Sequence, residues 1–258
     1  TGWNEWMAIK TWASVDGVMG SHFCDDFDQE YSRDLEMTKD GMLKDNFYLQ
    51  FLANVKKLKM EPFVEYRKPA SPAAWDDPSQ WIAVPGYADM EGDAVQRDFQ
   101  DCVMGGEGGR YLDSSARNDI SLIKVAEDQS NLYFLIQTKE ALTPYESGDK
   151  TYMNVLIHTS DELPSFEGYN FILNRTIRDG KGSIERSKGG FEFEQVGTAE
   201  IKIEGKSLMM KIAKSDLGLG ESSDLYFKVA DHIAHPDDIM DYYVSGDSAP
   251  LGRLGYGY

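Results

Sequence analysis

Hydrophobic and polar positions follow two different periods along this chain. Past Asp45, the residues Tyr48, Phe51, Leu52, Val55 and Leu58 recur every three or four positions, which puts them on one stripe of an α-helix. Asp45 stands ahead of that stripe as a candidate cap. Lys56, Lys57 and Lys59 end it, where the helix dipole favours cations. After Met60 the period is lost, and Pro62, Pro69, Pro72 and Pro78 each fix φ and remove a backbone donor. That spacing predicts a linker over 62–78.

Beyond Trp81 the period becomes two. Short β-branched and aromatic runs cover 120–126, 132–138, 152–159, 169–174, 191–196, 201–203, 208–212 and 225–229. Met153, Val155 and Ile157 alternate cleanly, as do Leu208, Met210 and Ile212, and Leu225, Phe227 and Val229, so one set of each run faces a core. Turn formers separate the runs: Asp128 to Asn131, Lys188-Gly189-Gly190 and Glu204-Gly205-Lys206 can each close a hairpin. Strands of this kind without intervening helical patterns predict a mainly β fold, an antiparallel β-sandwich.

Charge narrows the partners. The 258 residues carry a formal charge of −18, which repels polyphosphate and anionic lipid over a Debye length of about 8 Å. Nucleic acid is therefore not an expected partner, whereas a neutral glycan meets no such penalty. No apolar stretch reaches the roughly 20 residues of a membrane span, and the start at Thr1 has neither a basic leader nor an apolar signal region, so the sequence reads as a mature or excised piece. Cys24 and Cys102 are far apart in sequence, and their spacing leaves open whether they pair. Serine nucleophile elbows, Walker loops, Rossmann glycine patterns and zinc-type cysteine spacings are absent from the sequence. The glycine-rich stretch 105–109 lacks a following Lys-Ser or Lys-Thr and reads as a loop.

Two segments carry candidate chemistry. In Trp3-Asn4-Glu5-Trp6 a carboxylate and an amide sit between two indoles. Indole faces stack on pyranose C–H faces, Asn and Glu bind hydroxyls, and a Glu can act as acid, base or nucleophile in glycoside chemistry. The same tetrapeptide also suits a strand end whose Trp side chains fill a core. In Asp25 to Glu36, carboxylates surround Phe27, Tyr31 and Leu35, and Arg33 can orient a carboxylate or a sugar hydroxyl. A solvated acidic face is the alternative there. Asp113, Asn118 and Asp119 offer hard oxygen ligands for a structural calcium ion, though the same residues are ordinary turn formers. His232 and His235 with Asp231, Asp237 and Asp238 read as a solvated turn before Pro236 rather than a metal site. No cofactor is expected.

TGWNEW, FCDDFDQEYSRDLE and KDNFYLQFLANVKKLK resemble the closing strand, following loop and last helix of barrel proteins similar to glycoside hydrolase families 71 and 99. In those barrels an Asn-Glu-Trp at a strand end gives its Glu to the sugar cleft. The resemblance therefore implies Glu5 as the candidate catalytic carboxylate, with Trp3, Asn4, Trp6 and Arg33 on the glycan. It covers about 60 residues, so the other barrel strands would come from a missing N-terminal barrel region, and this chain alone is not expected to be catalytic. NDISLIKVAEDQSNLYFLIQT, TYMNVLIHTS, GYNFILNR and DYYVSGDSAPLGRLGYGY resemble the family-9 carbohydrate-binding modules. Sugar-binding modules of that family clamp a glycan between two Trp rings, for which this sequence offers Trp81 and Tyr152.

Together these resemblances imply three regions: 1–61 as the end of a (β/α)8-type barrel, 62–78 as linker, and 79–258 as a sandwich. They also imply a secreted, extracellular or periplasmic glycan-processing protein whose sandwich braces the barrel or binds carbohydrate. A non-enzymatic carbohydrate-binding or interaction module is the alternative.

Overall fold

The computed structural model describes residues 10–15, 17–23, 35, 37, 44–61, 71–100 and 110–258. In chain order the first elements are β1 (Lys10–Val15), β2 (Val18–Phe23), α1 (Asn46–Lys59), β3 (Gly86–Ala88), β4 (Arg97–Gln100) and β5 (Arg110–Asp113). Next come β6 (Ile120–Glu127), β7 (Asn131–Thr138), β8 (Asn154–His158), β9 (Phe171–Arg178), β10 (Lys181–Gly189) and β11 (Glu192–Glu204). The last are β12 (Ser207–Ala213), β13 (Tyr226–Asp231), β14 (Asp247–Ala249) and β15 (Tyr256–Gly257). The chain forms two compact units. One comprises 1–63, 96–114 and 243–245, and the other 64–95, 115–242 and 246–258.

In the first unit β1 and β2 form an antiparallel hairpin, with Gly17 at φ 77° in its turn, and β4 pairs antiparallel with β5. The helix α1 forms where the apolar stripe predicts it. Asp45 stands at its N-cap position but makes no capping bond; its Oδ2 accepts the Tyr243 hydroxyl at 3.2 Å. The three lysines lie in the last turn, and Met60, left-handed at φ 57°, ends it. The expected strand at Trp3 to Trp6 lies outside the described residues.

The second unit is mainly β. Among the described residues its strands form one large antiparallel sheet in the order β14-β13-β8-β9-β10-β11-β12-β7-β6-β3, and β15 also pairs with β13. The turns at 128–131 and 204–206 join β6 to β7 and β11 to β12, as their sequences predict.

Both faces of part of this sheet are covered, which explains why β7 is buried at five consecutive positions, Leu132 to Ile136. Leu132, Phe134 and Ile136 join a core with Val155, Ile157, Leu208, Met210, Ile212, Phe227 and Val229. Tyr133 and Leu135 point the other way, into a second cluster with Trp81, Val84, Ala126 and Met209, against which Trp75 packs. Residues 71–78, expected to be linker, are therefore part of this unit. Ser71 Oγ donates to the Glu127 carbonyl, and Trp75 presents its carbonyl to Trp81 Nε1 at 3.1 Å. Proline spacing marks where helices stop, but it does not register that Trp75 in the same stretch has apolar surface to bury.

The ends of the sheet approach each other. Tyr87 on β3 donates its hydroxyl to the Gly257 carbonyl on β15 at 2.6 Å, and the Tyr256 hydroxyl donates to the Ala88 carbonyl at 3.2 Å. The Tyr87 ring meets Tyr256 at 5.0 Å and Phe227 at 5.1 Å between centroids. Among the described residues, no helix is long and apolar enough to cross a membrane.

Trp81 is 0% exposed, so its indole is a packing element rather than a platform. Trp81→Ala is expected to lower stability by about 3–5 kcal/mol, as truncation of a buried Trp does, and Trp81→Phe by less. Urea unfolding of the full chain checks this, and a loss below about 1 kcal/mol for the alanine variant contradicts the assignment.

Candidate functional site

Trp3, Asn4, Glu5, Trp6 and Arg33 lie outside the described residues, as do Cys24, Cys102 and the stretch 105–109. The expected ring pair is described. Trp81 and Tyr152 are both 0% exposed, so neither presents a face to a pyranose. Tyr152 is enclosed on every side. Its hydroxyl donates to the Thr143 carbonyl at 2.7 Å, Tyr145 meets its ring at 5.5 Å, and the Arg117 guanidinium lies 5.6 Å from its centroid.

Arg117 is fixed by two carboxylates. Its Nε donates to Asp231 Oδ2 at 2.8 Å and its Nη2 to Asp149 Oδ2 at 2.6 Å. Asp231 also accepts the Met153 N–H at 2.9 Å, and Asp149 accepts both the backbone and the hydroxyl of Thr151 at 2.9 Å. This buried clamp ties the loop before β8 to β13, and breaking one partner would leave the other charge uncompensated. It also accounts for Asp231 in the expected 231–238 turn. There the His235 N–H donates to Asp241 Oδ2 at 2.8 Å.

Asp113, Asn118 and Asp119 each have protein partners. In the first unit Asp113 pairs with Arg97 at 3.6 Å. In the second, Asn118 Oδ1 accepts the Thr143 N–H at 2.8 Å, and both Asp119 oxygens accept the Gly92 N–H, at 3.0 and 2.8 Å.

Two places in the second unit gather chemistry that sequence reasoning missed. The first is a cleft of about 470 Å³ lined by Lys150, Arg175, Thr176, Glu185, Lys188, Phe191, Glu192 and Phe193. Its volume lies within the roughly 300–1,000 Å³ of small-ligand sites. β9 supplies Arg175 beside a break in register opposite Ser183. There Asn174 is left-handed at φ 72°, and its Nδ2 donates to the Tyr152 and Met153 carbonyls at 3.1 and 3.2 Å. The β10 backbone comes close here: a Cβ at Gly182 would sit 2.4 Å from Ile201 Cδ1 and 2.6 Å from Asn174 Oδ1, so those side chains would have to shift. The bulge aims Arg175 at Glu185, with Nη1 to Oε2 at 3.0 Å, and Ser183 Oγ donates to Glu185 Oε1 at 2.8 Å. The guanidinium lies 5.3 Å from the Phe191 centroid and 5.6 Å from that of Phe193. Phe166 and Phe193 meet Phe191 edge-on at 4.9 and 5.3 Å, and both Phe191 and Phe193 stay half-buried. The arrangement holds two aromatic rings rigidly beside fixed polar groups. The available sequence signal was FEFE from Phe191, aromatic residues alternating with carboxylates.

The second place is the seam where the sheet ends approach. Carboxylate oxygens of Asp89, Asp93 and Asp247 all lie within 4.8 Å of one another, the donor set through which this unit could hold a hard divalent cation. Asp247 reaches across the seam, its Oδ2 accepting the Ile120 N–H of β6 at 2.6 Å. Gly246, left-handed at φ 56°, permits this approach, since a Cβ there would sit 2.1 Å from the Asp231 carbonyl oxygen. Asp89 Oδ2 is buried and, among the described residues, receives no hydrogen bond. Lys228 is fully buried nearby, donates to the Pro250 carbonyl and lies 5.8 Å from the Tyr242 ring centroid. Burial, reinforced by the Asp93 charge, pushes Asp89 up to about 7. Burial also pushes Asp247 up to about 8, against the Ile120 hydrogen bond and with Asp93, Asp89 and Asp119 adding to it. Burial pulls Lys228 down to about 7, against the attraction of Asp89 and Asp247.

No family model matches this sequence, and no curated protein or solved structure matches it either.

The seam predicts an unusual dependence of stability on pH. Asp89 and Asp247 titrate above the ordinary carboxylate value, so their contribution is full below about pH 4 and is lost as pH rises through 7 and 8. Lys228 titrates below its ordinary value, so its contribution is full above about pH 10 and is lost as pH falls through 7. Urea midpoints in chelator should fall from pH 5 to pH 7, pass a minimum near pH 7–8 and recover towards pH 10. Asp247→Asn keeps an acceptor for Ile120 and should flatten the fall. An unchanged fall in that variant contradicts the assignment.

Proposed function

We propose that this chain is part of a secreted glycan-processing protein, and that its large β unit is an accessory sandwich that binds carbohydrate. The cleft carries this reading. Phe191 and Phe193 are half-buried rings beside Arg175 and Glu185, which combines apolar faces for pyranose C–H groups with fixed partners for hydroxyls. The rings are set before a ligand arrives, because Arg175 is held by Glu185 and Phe191 is flanked by Phe166 and Phe193, so little side-chain entropy remains to be lost on binding. The likeness of 118–138, 151–160, 168–175 and 241–258 to family-9 modules supports the same reading from sequence. On this proposal the glycan meets the β9–β11 ribbon rather than Trp81 and Tyr152. In the first unit Glu5, with Trp3, Asn4, Trp6 and Arg33 beside it, is proposed to contact glycan at the barrel-type end. An extracellular or periplasmic location follows from the glycan reading.

Calorimetric titration of a panel of neutral and acidic oligosaccharides into the full chain tests the proposal. Binding should be seen with at least one member and should weaken by roughly tenfold or more in Phe193→Ala, the loss of one stacking ring. Trp81→Phe should bind as the parent does. Heat from no member of the panel, or binding that Trp81→Phe abolishes and Phe193→Ala spares, overturns it.

A further inference from the structure

The cleft has a feature that glycan stacking alone does not require. Its lining contains three cations, Lys150, Arg175 and Lys188, and two anions, Glu185 and Glu192, on a chain whose formal charge is −18. Glu185 is neutralised within the cleft by Arg175 at 3.0 Å. On the adjoining ribbon Arg186 neutralises Glu194 at 2.7 Å. What remains facing the cleft is Lys150 and Lys188 against Glu192, a local cationic excess beside two aromatic rings. Both lysines line the cleft and are solvent-exposed. An exposed ammonium placed this way adds little to folding. It does add directly to the capture of an anion that reaches the rim.

We infer that this cleft takes an acidic sugar unit, a pyranoside bearing a carboxylate, with its C–H groups against the edge-to-face pair Phe191 and Phe193 and its carboxylate between Lys150 and Lys188. The inference rests on the carbohydrate-binding reading of the same cleft. It names a single acidic unit on an otherwise neutral glycan rather than a polyuronate. The field of a strongly acidic chain repels a polyanion over a Debye length of about 8 Å, whereas one carboxylate at the cleft meets the local excess first. The same field disfavours nucleic acid, which offers bases for stacking but brings a phosphate at every unit. Arg175 is assigned a different part: its Nη1 donates to Glu185 Oε2 at 3.0 Å and its guanidinium lies over the two phenyl rings. Its part is to position them.

The test compares methyl glucuronide, methyl glucoside and oligogalacturonate by calorimetry on the full chain at low and high salt. The glucuronide should bind about tenfold tighter than the glucoside, the factor supplied by one charge-assisted contact. That ratio should fall towards one in 0.5 M salt and in the Lys150→Gln/Lys188→Gln variant, whose folding is checked by its urea midpoint. Equal binding of glucuronide and glucoside overturns the acidic assignment and leaves the carbohydrate reading standing. Heat from neither glycoside, nor from any longer oligosaccharide, overturns both. A ratio that survives both salt and the double variant places the selectivity elsewhere and overturns the role of the two lysines. Oligogalacturonate binding more tightly per unit than the glucuronide overturns the restriction to one acidic unit.

Discussion

Everything in the larger unit depends on how its sheet deals with its own ends. A sheet of many strands must leave two rows of backbone groups without strand partners. Here the row on β3 is brought near β15, and side chains supply the bonds that strands do not: Tyr87 to Gly257, Tyr256 to Ala88, and Asp247 to the Ile120 amide. The cost is polar. Satisfying an amide with a carboxylate draws a charged group into a buried place, and Asp89, Asp93 and Lys228 gather within its field. The gain is apolar. With the ends held, Tyr87 lies against Phe227 and Phe227 against Phe134 at 5.3 Å, so the interior is sealed by aromatic contact on the side where a flat sheet would be open.

The sequence exposes parts of this fold unequally, for identifiable reasons. Strands whose residues divide cleanly between core and solvent can be read, as at Met153 to Ile157 and Leu225 to Val229. β10 escapes, because Lys181 to Gly189 holds one large apolar residue, Ile184, among glycines and charges; Ile184 is buried in the core, and the strand pairs on both sides, with β9 and β11. Trp81 and Tyr152 are legible as aromatic residues suited to glycan stacking and illegible as core. Nothing local shows that residues 71–84 fold back over β6, β7 and β12, or that Arg117 sits on the Tyr152 ring. The seam carboxylates are separated by up to 158 positions, from Asp89 to Asp247, and only the closing of the sheet makes them neighbours.

Two arginine clamps show how similar chemistry serves opposite ends. Arg117 and Arg175 each pair with carboxylate and each lie over aromatic rings. Arg117 holds Asp231, which is wholly buried, and its ring, Tyr152, is 0% exposed, so the clamp joins two parts of the core and leaves nothing for a ligand. The two arginine side chains are about equally exposed, Arg117 at 16% and Arg175 at 17%, but the rings beside Arg175 remain half-buried whereas Tyr152 is covered. A polar network that rigidifies is needed in either place. The difference lies in what the network is set against.

This contrast bears on why the ribbon rather than the sheet face is the place to look for binding. Burial has already consumed the apolar surface of β6, β7 and β12, where a ring that stabilises the fold gains area by being covered. β9 to β11 bury Phe171, Leu173, Ile184 and Ala199 in the core, while Phe191 and Phe193 lie outside it. Phe191 and Phe193 could have been polar without opening the core, since neither belongs to it. Rings retained there, steadied by a guanidinium that is itself held by Glu185 and bordered by Lys150 and Lys188, leave apolar faces that fold stability does not demand. Such faces carry a free-energy cost in water that is offset only when something covers them.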